Sequence, residues 1–485
     1  MNKKRIALTL FMAFLGEIAN KLVPLINLHL IANRLGVQAF GMAQYALWLL
    51  EWGIVFTTFG FPQVAPVLLQ NTSSTQEERR VNGSIVVART ILAALAVLVL
   101  VACVRINPRL EPYQVAVFSS LFIILASAIE SSWILVAKQK LAALSAISIF
   151  AKFISVVAII ALIHSPDDAV TFVVVTNLVN AIIAGSSFVV ALRIVGISKP
   201  SLQEVRQALV AASPYALAIV LFLILERFDL FIIENYFGPT ATGLYSAASK
   251  LVSSVTPIMA TISGVFYSEM LANRDLASIE KLIKASLFWI VSVISPVAFL
   301  LFRFDAQILG LVFDDGFRAA SSILSNLSFS LFFQAAIFVF GFQLLAMRRQ
   351  WLPLVLAFFL STIVGISLGC FYISSQNMSG VAIAAVVAKL IASVLVTAAA
   401  VRSLNISFNS IVSGLARPLL PILFTILLES LAEWLGLMEM TATSLLIFTG
   451  VTYTTVFTAF NLTEVRWILN RLAKLLSPKG SSHLT

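Results

Sequence analysis

The chain has 485 residues, 60% of them hydrophobic and 11% charged, with a net charge of +10 and a mean hydropathy of +1.00. Soluble domains carry about 25% charged residues, so a string of soluble domains is excluded. Disorder is excluded as well, because it requires a chain poor in apolar residues. Cys103 and Cys370 lie in separate apolar runs, and His29, His164 and His483 are scattered. Neither a disulfide framework nor a metal cluster is expected from them.

The expected fold is an all-α polytopic membrane protein, since a crossing helix needs about 20 mostly apolar residues. Lys3, Lys4 and Arg5 precede an apolar stretch that runs on towards Leu30 without a small-residue cleavage site, and it is read as a retained first span. Cutting at loop signals predicts spans at 6–32, 40–69, 82–104, 113–137, 141–163 and 169–195. A second set follows at 207–236, 241–270, 283–303, 319–346, 351–374 and 378–401, with two more at 413–436 and 441–462. The total is fourteen transmembrane helices joined by short loops. Continuous apolar runs of this length exclude an alternating-strand barrel.

The loop cations orient the spans. With the N-terminus inside, 21 lysines and arginines fall on the cytoplasmic side and five on the outer side: Arg34, Arg105, Arg109, Arg303 and Arg318. This is the asymmetry of the positive-inside rule, and it places both termini in the cytoplasm. It also accounts for the basic charge through anionic lipid, with no nucleic-acid partner.

The loop after span 1, Asn33 to Gly41, and the loop after span 7, Asn235 to Gly243, both read N-x-x-G-x-x-A-x-G, and matched positions lie 202 residues apart. Spans 1 and 7 run the same way through the membrane, so the halves are parallel repeats about an axis along the membrane normal. The predicted organisation is an N-lobe over 1–200 and a C-lobe over 201–404, six helices each around a central cavity. Two extra helices and a cytoplasmic tail occupy 405–485.

The stretch Ile31–Leu69, with Leu35, Gly36, Phe40, Gly41 and Tyr45 as its core, resembles the opening of O-antigen and polysaccharide flippases. The stretch from Asp229 through Tyr245 to Leu251 resembles the second-lobe opening of the same family. These belong to the multidrug/oligosaccharidyl-lipid/polysaccharide (MOP) exporter superfamily. The resemblance implies a multi-pass transporter of the bacterial inner membrane that moves an undecaprenyl-diphosphate-linked oligosaccharide outward by alternating access. It also implies a polysaccharide polymerase and a chain-length regulator as accompanying partners, and membrane lipids as surroundings.

Six cations remain inside predicted spans: Lys21, Arg89, Lys152, Arg227, Lys250 and Lys389. A charge at mid-bilayer costs roughly 2.5–3.5 kcal/mol even on permissive scales, so such residues are expected to face protein or a watery cavity. In span 1, Glu17, Asn20, Lys21, Pro24 and Asn27 recur at spacings of three and four and share a face. That face either lines the cavity or holds an intrahelical Glu17–Lys21 pair. In span 7, Glu226 and Asp229 share a face, and Asp229 falls 202 residues after Asn27. Arg227 has a planar fork suited to phosphate oxygens, and a bridge to an acidic neighbour is the other reading. Lys152, Lys250 and Lys389 are further cavity cations, whereas Arg89, about two turns into span 3, is expected to snorkel to the cytoplasmic surface. Glu17, Glu226 and Asp229 are candidates for holding a coupling H+ or Na+, and no other cofactor is called for.

No phosphate-binding loop or zinc-protease motif occurs, and the G-x-S-x-G pattern at Gly365–Gly369 lies inside a continuous apolar run, so a non-enzymatic transporter is expected. The rivals are a multidrug exporter of the same superfamily, for which an acidic cavity would be expected, and a membrane glycan polymerase or ligase, which needs a long outer loop. Flipping of a peptidoglycan precursor is a third reading that the sequence separates poorly from the first.

Overall fold

In the computed structural model the described residues are 3–138, 140–259, 275–345 and 351–404, with isolated positions at 262, 263, 266, 270, 411, 415, 418–421 and 453. The side chains of residues 3–26 lie outside what is described. The described residues are helical, with no strand among them.

The first half runs α1 (Lys3–Thr58), α2 (Phe61–Gln70), α3 (Thr75–Ile106), α4 (Gln114–Phe118), α5 (Phe122–Ile129), α6 (Ser132–Ala137), α7 (Leu141–Leu162) and α8 (Ala169–Ile194). The second half runs α9 (Leu202–Ser253), α10 (Leu276–Arg303), α11 (Asp305–Val312), α12 (Ser321–Ser328), α13 (Ser330–Ala336), α14 (Trp351–Ser374) and α15 (Met378–Leu404). Helix starts follow side-chain caps. Ser74 accepts from the Glu77 amide, Asp275 accepts from Ala277 and Ser278, and Ser201 with Glu204 forms a reciprocal capping box.

At 1.5 Å per residue, the 56 residues of α1 would span about 84 Å, nearly three times the hydrocarbon thickness of about 30 Å. Gly36 breaks that run at φ 70°, ψ 173°, and Gly238 breaks α9 at φ 81°, ψ −177°. Glycine meets no Cβ penalty at positive φ, so the repeated loop motif is a repeated backbone break. Nine described helices are long and apolar enough to cross a membrane. Splitting the two long ones at their glycines and counting the bent fourth span raises this to twelve, in the order predicted. The predicted spans 413–436 and 441–462 lie outside the described residues, apart from isolated positions.

Gly41 and Gly243 show how the halves meet. A Cβ on Gly41 would stand 2.0 Å from the Pro239 carbonyl oxygen, and one on Gly243 would stand 2.0 Å from that of Val37. Val37 and Pro239 are themselves 202 residues apart, so the contact is reciprocal about a pseudo-two-fold axis. Around it, Asn235 Nδ2 donates to the Tyr45 hydroxyl at 3.4 Å, Tyr113 donates to Glu234, and His29 Nδ1 lies 2.7 Å from the Val312 carbonyl. Phe40 meets Phe317 edge-on at 5.8 Å. The halves are therefore joined at the end of the bundle that holds Gly36 and Gly238.

Three predicted spans are interrupted. Span 2 turns at Phe59 and Gly60, both at positive φ. Span 4 is in pieces, with its two parts bent by 57°. Span 10 passes through α12 and α13 into a π-helical stretch, Ile337–Leu345. Arg89 explains part of the second interruption and corrects the snorkelling expectation. Its side chain is 1% exposed, it donates to the Glu130 carbonyl at 2.6 Å and to that of Ser127, and it lies 3.7 Å from the Glu130 carboxylate. The guanidinium thus satisfies carbonyls left open where α5 stops. Arg34 plays the same part at the end of α7, donating to the carbonyls of Ile159, Ile160 and Ile163 at 3.3, 3.0 and 2.6 Å.

The linker between the halves is packed on α3. Asn82 Nδ2 donates to the Gly196 carbonyl at 2.7 Å, the Ser198 amide donates to Arg79 at 3.1 Å, and Gly83 abuts the Ser198 carbonyl.

Candidate functional site

Two adjoining cavities lie between the halves. The first, of about 390 Å³, has Gln44, Trp48 and Glu51 from the second arm of α1, Asn177 and Asn180 from α8, and Arg227, Asp229, Tyr245 and Lys250 from α9 in its walls. The second, of about 410 Å³, is lined by Asn27, Lys152, Ser155, Thr176, Asn180, Lys250 and Pro257 among others. Gln44, Leu47, Thr176, Asn180 and Lys250 belong to both, which makes the pair one polar interior. The glycine breaks create it: each sends a second arm back beside the first, so polar residues on both arms of both long helices converge.

Arg227 Nε stands 3.8 Å from Glu51 across the seam between the halves. Arg227 therefore makes the bridge to an acid that was one of its two sequence readings, and it does so in the cavity wall. Asn27 Nδ2 donates to Ser155 at 3.1 Å, and Tyr245 donates its hydroxyl to Asp229, which is 5% exposed. Among the described residues, Asn27 Oδ1, Trp48 Nε1 and Ser246 Oγ are buried with no hydrogen-bond partner. All three residues line these cavities. Buried polar atoms are normally paired, so these three are exceptions in the cavity walls.

The structure thus brings Asn27, Lys152, Arg227, Asp229 and Lys250 together. Lys389 and Glu226 are placed differently. Lys389 Nζ lies 3.1 Å from the Glu226 carboxylate, Gln334 Nε2 donates to the same carboxylate at 3.1 and 3.3 Å, and neither is among the residues lining the two cavities. The side chains of Glu17, Asn20 and Lys21 lie outside the described residues, although their backbone belongs to α1.

Glu51, Gln44, Trp48 and the α8 residues Thr176, Asn177 and Asn180 were not among the sequence candidates for the site. The spacing rule applied to span 1 would have found the last three, since they form a polar patch at i, i+1 and i+4 in an otherwise apolar helix. Trp48 has no such signal, because an aromatic residue in a span reads as packing.

The family described as polysaccharide biosynthesis protein matches residues 9–267. Among solved structures, the fold is similar to the lipid II flippase MurJ in an inward closed conformation, with a TM-score of 0.67 and 12% identity over 94% of this chain and 100% of that one. It is similar to an inward-facing multidrug resistance MATE family transporter of the MOP superfamily, with a TM-score of 0.63 and 12% identity over 80% and 94%. A mutant of the Vibrio cholerae MATE transporter VcmN gives a TM-score of 0.54 and 14% identity over 84% and 98%. A search of curated proteins finds no match. Each of the three neighbours is a flippase or transporter rather than an enzyme, and at these identities they carry the fold.

Proposed function

This chain belongs to the polysaccharide biosynthesis protein family, and we propose that it flips an undecaprenyl-diphosphate-linked oligosaccharide, of the O-antigen, capsule or exopolysaccharide kind, from the cytoplasmic to the outer face of the bacterial inner membrane. The observation that carries the reading is the cationic interior: Lys152, Arg227 and Lys250 face a space between the halves that holds two acids, Glu51 and Asp229.

A diphosphate headgroup cannot enter hydrocarbon without replacement of its water and counterions. Fixed cations supply the counter-charge, and Arg227 offers the planar fork that fits phosphate oxygens. The polar wall residues Gln44, Asn177 and Asn180 suit sugar hydroxyls. Glu51 keeps Arg227 half-occupied, so the headgroup displaces a carboxylate on arrival and is displaced by it on release. Asp229 would carry the coupling H+ or Na+, and a polymerase and chain-length regulator would act on the delivered unit.

The positive-inside count supports a cytoplasmic N-terminus; the joined glycine end would then stand at the outer face, and transport would proceed by parting there. The two lobes, 1–200 and 201–404, would rock about the pseudo-two-fold axis. A second reading, flipping of a peptidoglycan precursor, is favoured by the extent of the match to the lipid II flippase. The three cavity cations oppose a drug exporter for cationic compounds.

The test is to delete the gene and assign undecaprenyl-linked saccharides to a membrane face. Repeat units trapped on the cytoplasmic face with loss of surface polymer are expected. Units stranded unpolymerised on the outer face would indicate a polymerase or ligase and sink the proposal. A trapped peptidoglycan unit with intact surface polymer would select the second reading.

A further inference from the structure

Helices α9 and α10 carry the same Ser-Pro step and close it in different ways. A proline has no amide hydrogen, so it leaves open the carbonyl four residues before it, and in hydrocarbon no water takes that bond. In α9, Pro214 opens the Val210 carbonyl, and the adjacent Ser213 hydroxyl donates to it at 2.9 Å. In α10, Pro296 opens the Ser292 carbonyl. Ser295 stands where Ser213 does, but its hydroxyl lies 3.3 Å from that of Tyr453, and Tyr453 donates to the Ser292 carbonyl at 3.1 Å. With its one hydrogen committed there, the tyrosine accepts from Ser295.

Ile290 and Ile294 hold one face of α10 in the main apolar core. Ser292 stands about 160° round the helix from both, yet it is only 6% exposed. That second face is therefore covered as well, and Tyr453 is seated on it with its own side chain buried. Tyr453 lies near the middle of the predicted span 441–462, and Ser292 near the middle of 283–303, so the two meet at matching depth.

We propose that the face of α10 opened by Pro296 is the docking site for the chain's own last predicted span, 441–462, with the Tyr453 hydroxyl as its key. The tyrosine supplies the hydrogen bond that the proline withholds. Apolar contact alone gives two lipid-embedded helices little preference for one another, since lipid tails are as apolar as leucine. A hydroxyl matched to one open carbonyl fixes depth and rotation, because a slip of one residue carries it about 1.5 Å along the axis and off its acceptor. The last span is thereby tied to the second half and moves with it, whatever the cargo.

The test uses the full chain in phosphatidylcholine nanodiscs. With p-benzoylphenylalanine incorporated at position 453, irradiation should join that position to the tryptic peptide 285–303 of α10, located by mass spectrometry. Adducts on another element, or none, would overturn the docking. A second measurement asks whether the bond answers to the proline. It is made with Ser295→Ala throughout, so that no neighbour closes the carbonyl as Ser213 does in α9. Tyr453→Phe should then lower the unfolding midpoint by about 2–4 °C. Adding Pro296→Ala returns a backbone donor to the Ser292 carbonyl, and Tyr453→Phe should then cost nothing further. Tyr236→Phe, at a tyrosine that is 57% exposed, should leave the midpoint unchanged. Equal losses with and without Pro296→Ala, no loss in either, or the same loss from Tyr236→Phe would each remove the assigned bond. Should Pro296→Ala fail to insert, the photo-adduct decides alone.

Discussion

The two halves match where they touch and differ where they enclose space. Gly36 pairs with Gly238 and Gly41 with Gly243, each at a separation of 202 residues, with the same backbone break and the same carbonyl contact. The same offset takes Asn27 to Asp229, Gln44 to Ser246, Trp48 to Lys250, and Glu51 to Ser253, all of them cavity residues. Scaffold positions are held by sterics, since a Cβ 2.0 Å from a carbonyl oxygen fits nothing. Interior positions have only to be compatible with water or cargo, and they differ between the halves, as Trp48 does from Lys250 and Glu51 from Ser253.

The largest expected effect comes from removing the asymmetry. Exchanging charge for apolar volume, as in Arg227→Ala combined with Lys250→Ala, should reduce surface polymer by at least about tenfold with the protein still inserted at normal levels. Retention of polymer in that double variant would break the link between interior chemistry and transport.

Next comes Lys389, whose partner distinguishes a structural pair from a cargo ligand. Lys389→Ala leaves Glu226 without its cation and should cost about 3 kcal/mol of stability, read as a lowered unfolding midpoint. Glu226→Gln with Lys389→Met should restore both stability and export. A stable but inactive double variant would instead place Lys389 on the transport route.

Smaller effects sharpen the matched side. Gly41→Ala and Gly243→Ala should each destabilise by about 1–3 kcal/mol, and by similar amounts if the contact is truly reciprocal. Gly316→Ala, whose Cβ would meet Val37 at an ordinary 3.5 Å, serves as the silent control. Markedly unequal penalties would show that the joint is not two-fold in energy, whatever its geometry.

The smallest effect concerns the capping box that starts the second half. The Ser201 amide and hydroxyl hold the Glu204 carboxyl below its ordinary value of 4.5. A depressed acid stabilises the fold above its unfolded pKa and loses that contribution as pH falls. Glu204→Gln should therefore be slightly less stable than the native chain at pH 7, and the gap should narrow as the pH falls below 4.5. A gap that persists in acid would assign the loss to packing rather than charge.

Much of the architecture was legible in the sequence because it depends on local signals. Hydropathy located the described spans in order, and the loop motif located both backbone breaks. The cavity was partly legible, since Asn27, Lys152, Arg227, Asp229 and Lys250 are polar residues in apolar helices and have few places to go. What could not be read was pairing across the bundle. Lys389 finds Glu226 from 163 residues away, and Arg89 finds the open carbonyls near Glu130 on another span. A hydropathy window averages over a broken helix whose loose ends are satisfied by a side chain it does not contain. For the same reason span 4 reads as continuous.

The reciprocal glycine contact also bears on how the chain assembles. Because each half presents a bare backbone step that only the other half's carbonyl can occupy, register between them is written into the surfaces rather than into the linker. A sliding error of one helical turn would set a carbonyl against a side chain and be rejected. Two separately synthesised halves would carry the same key and lock.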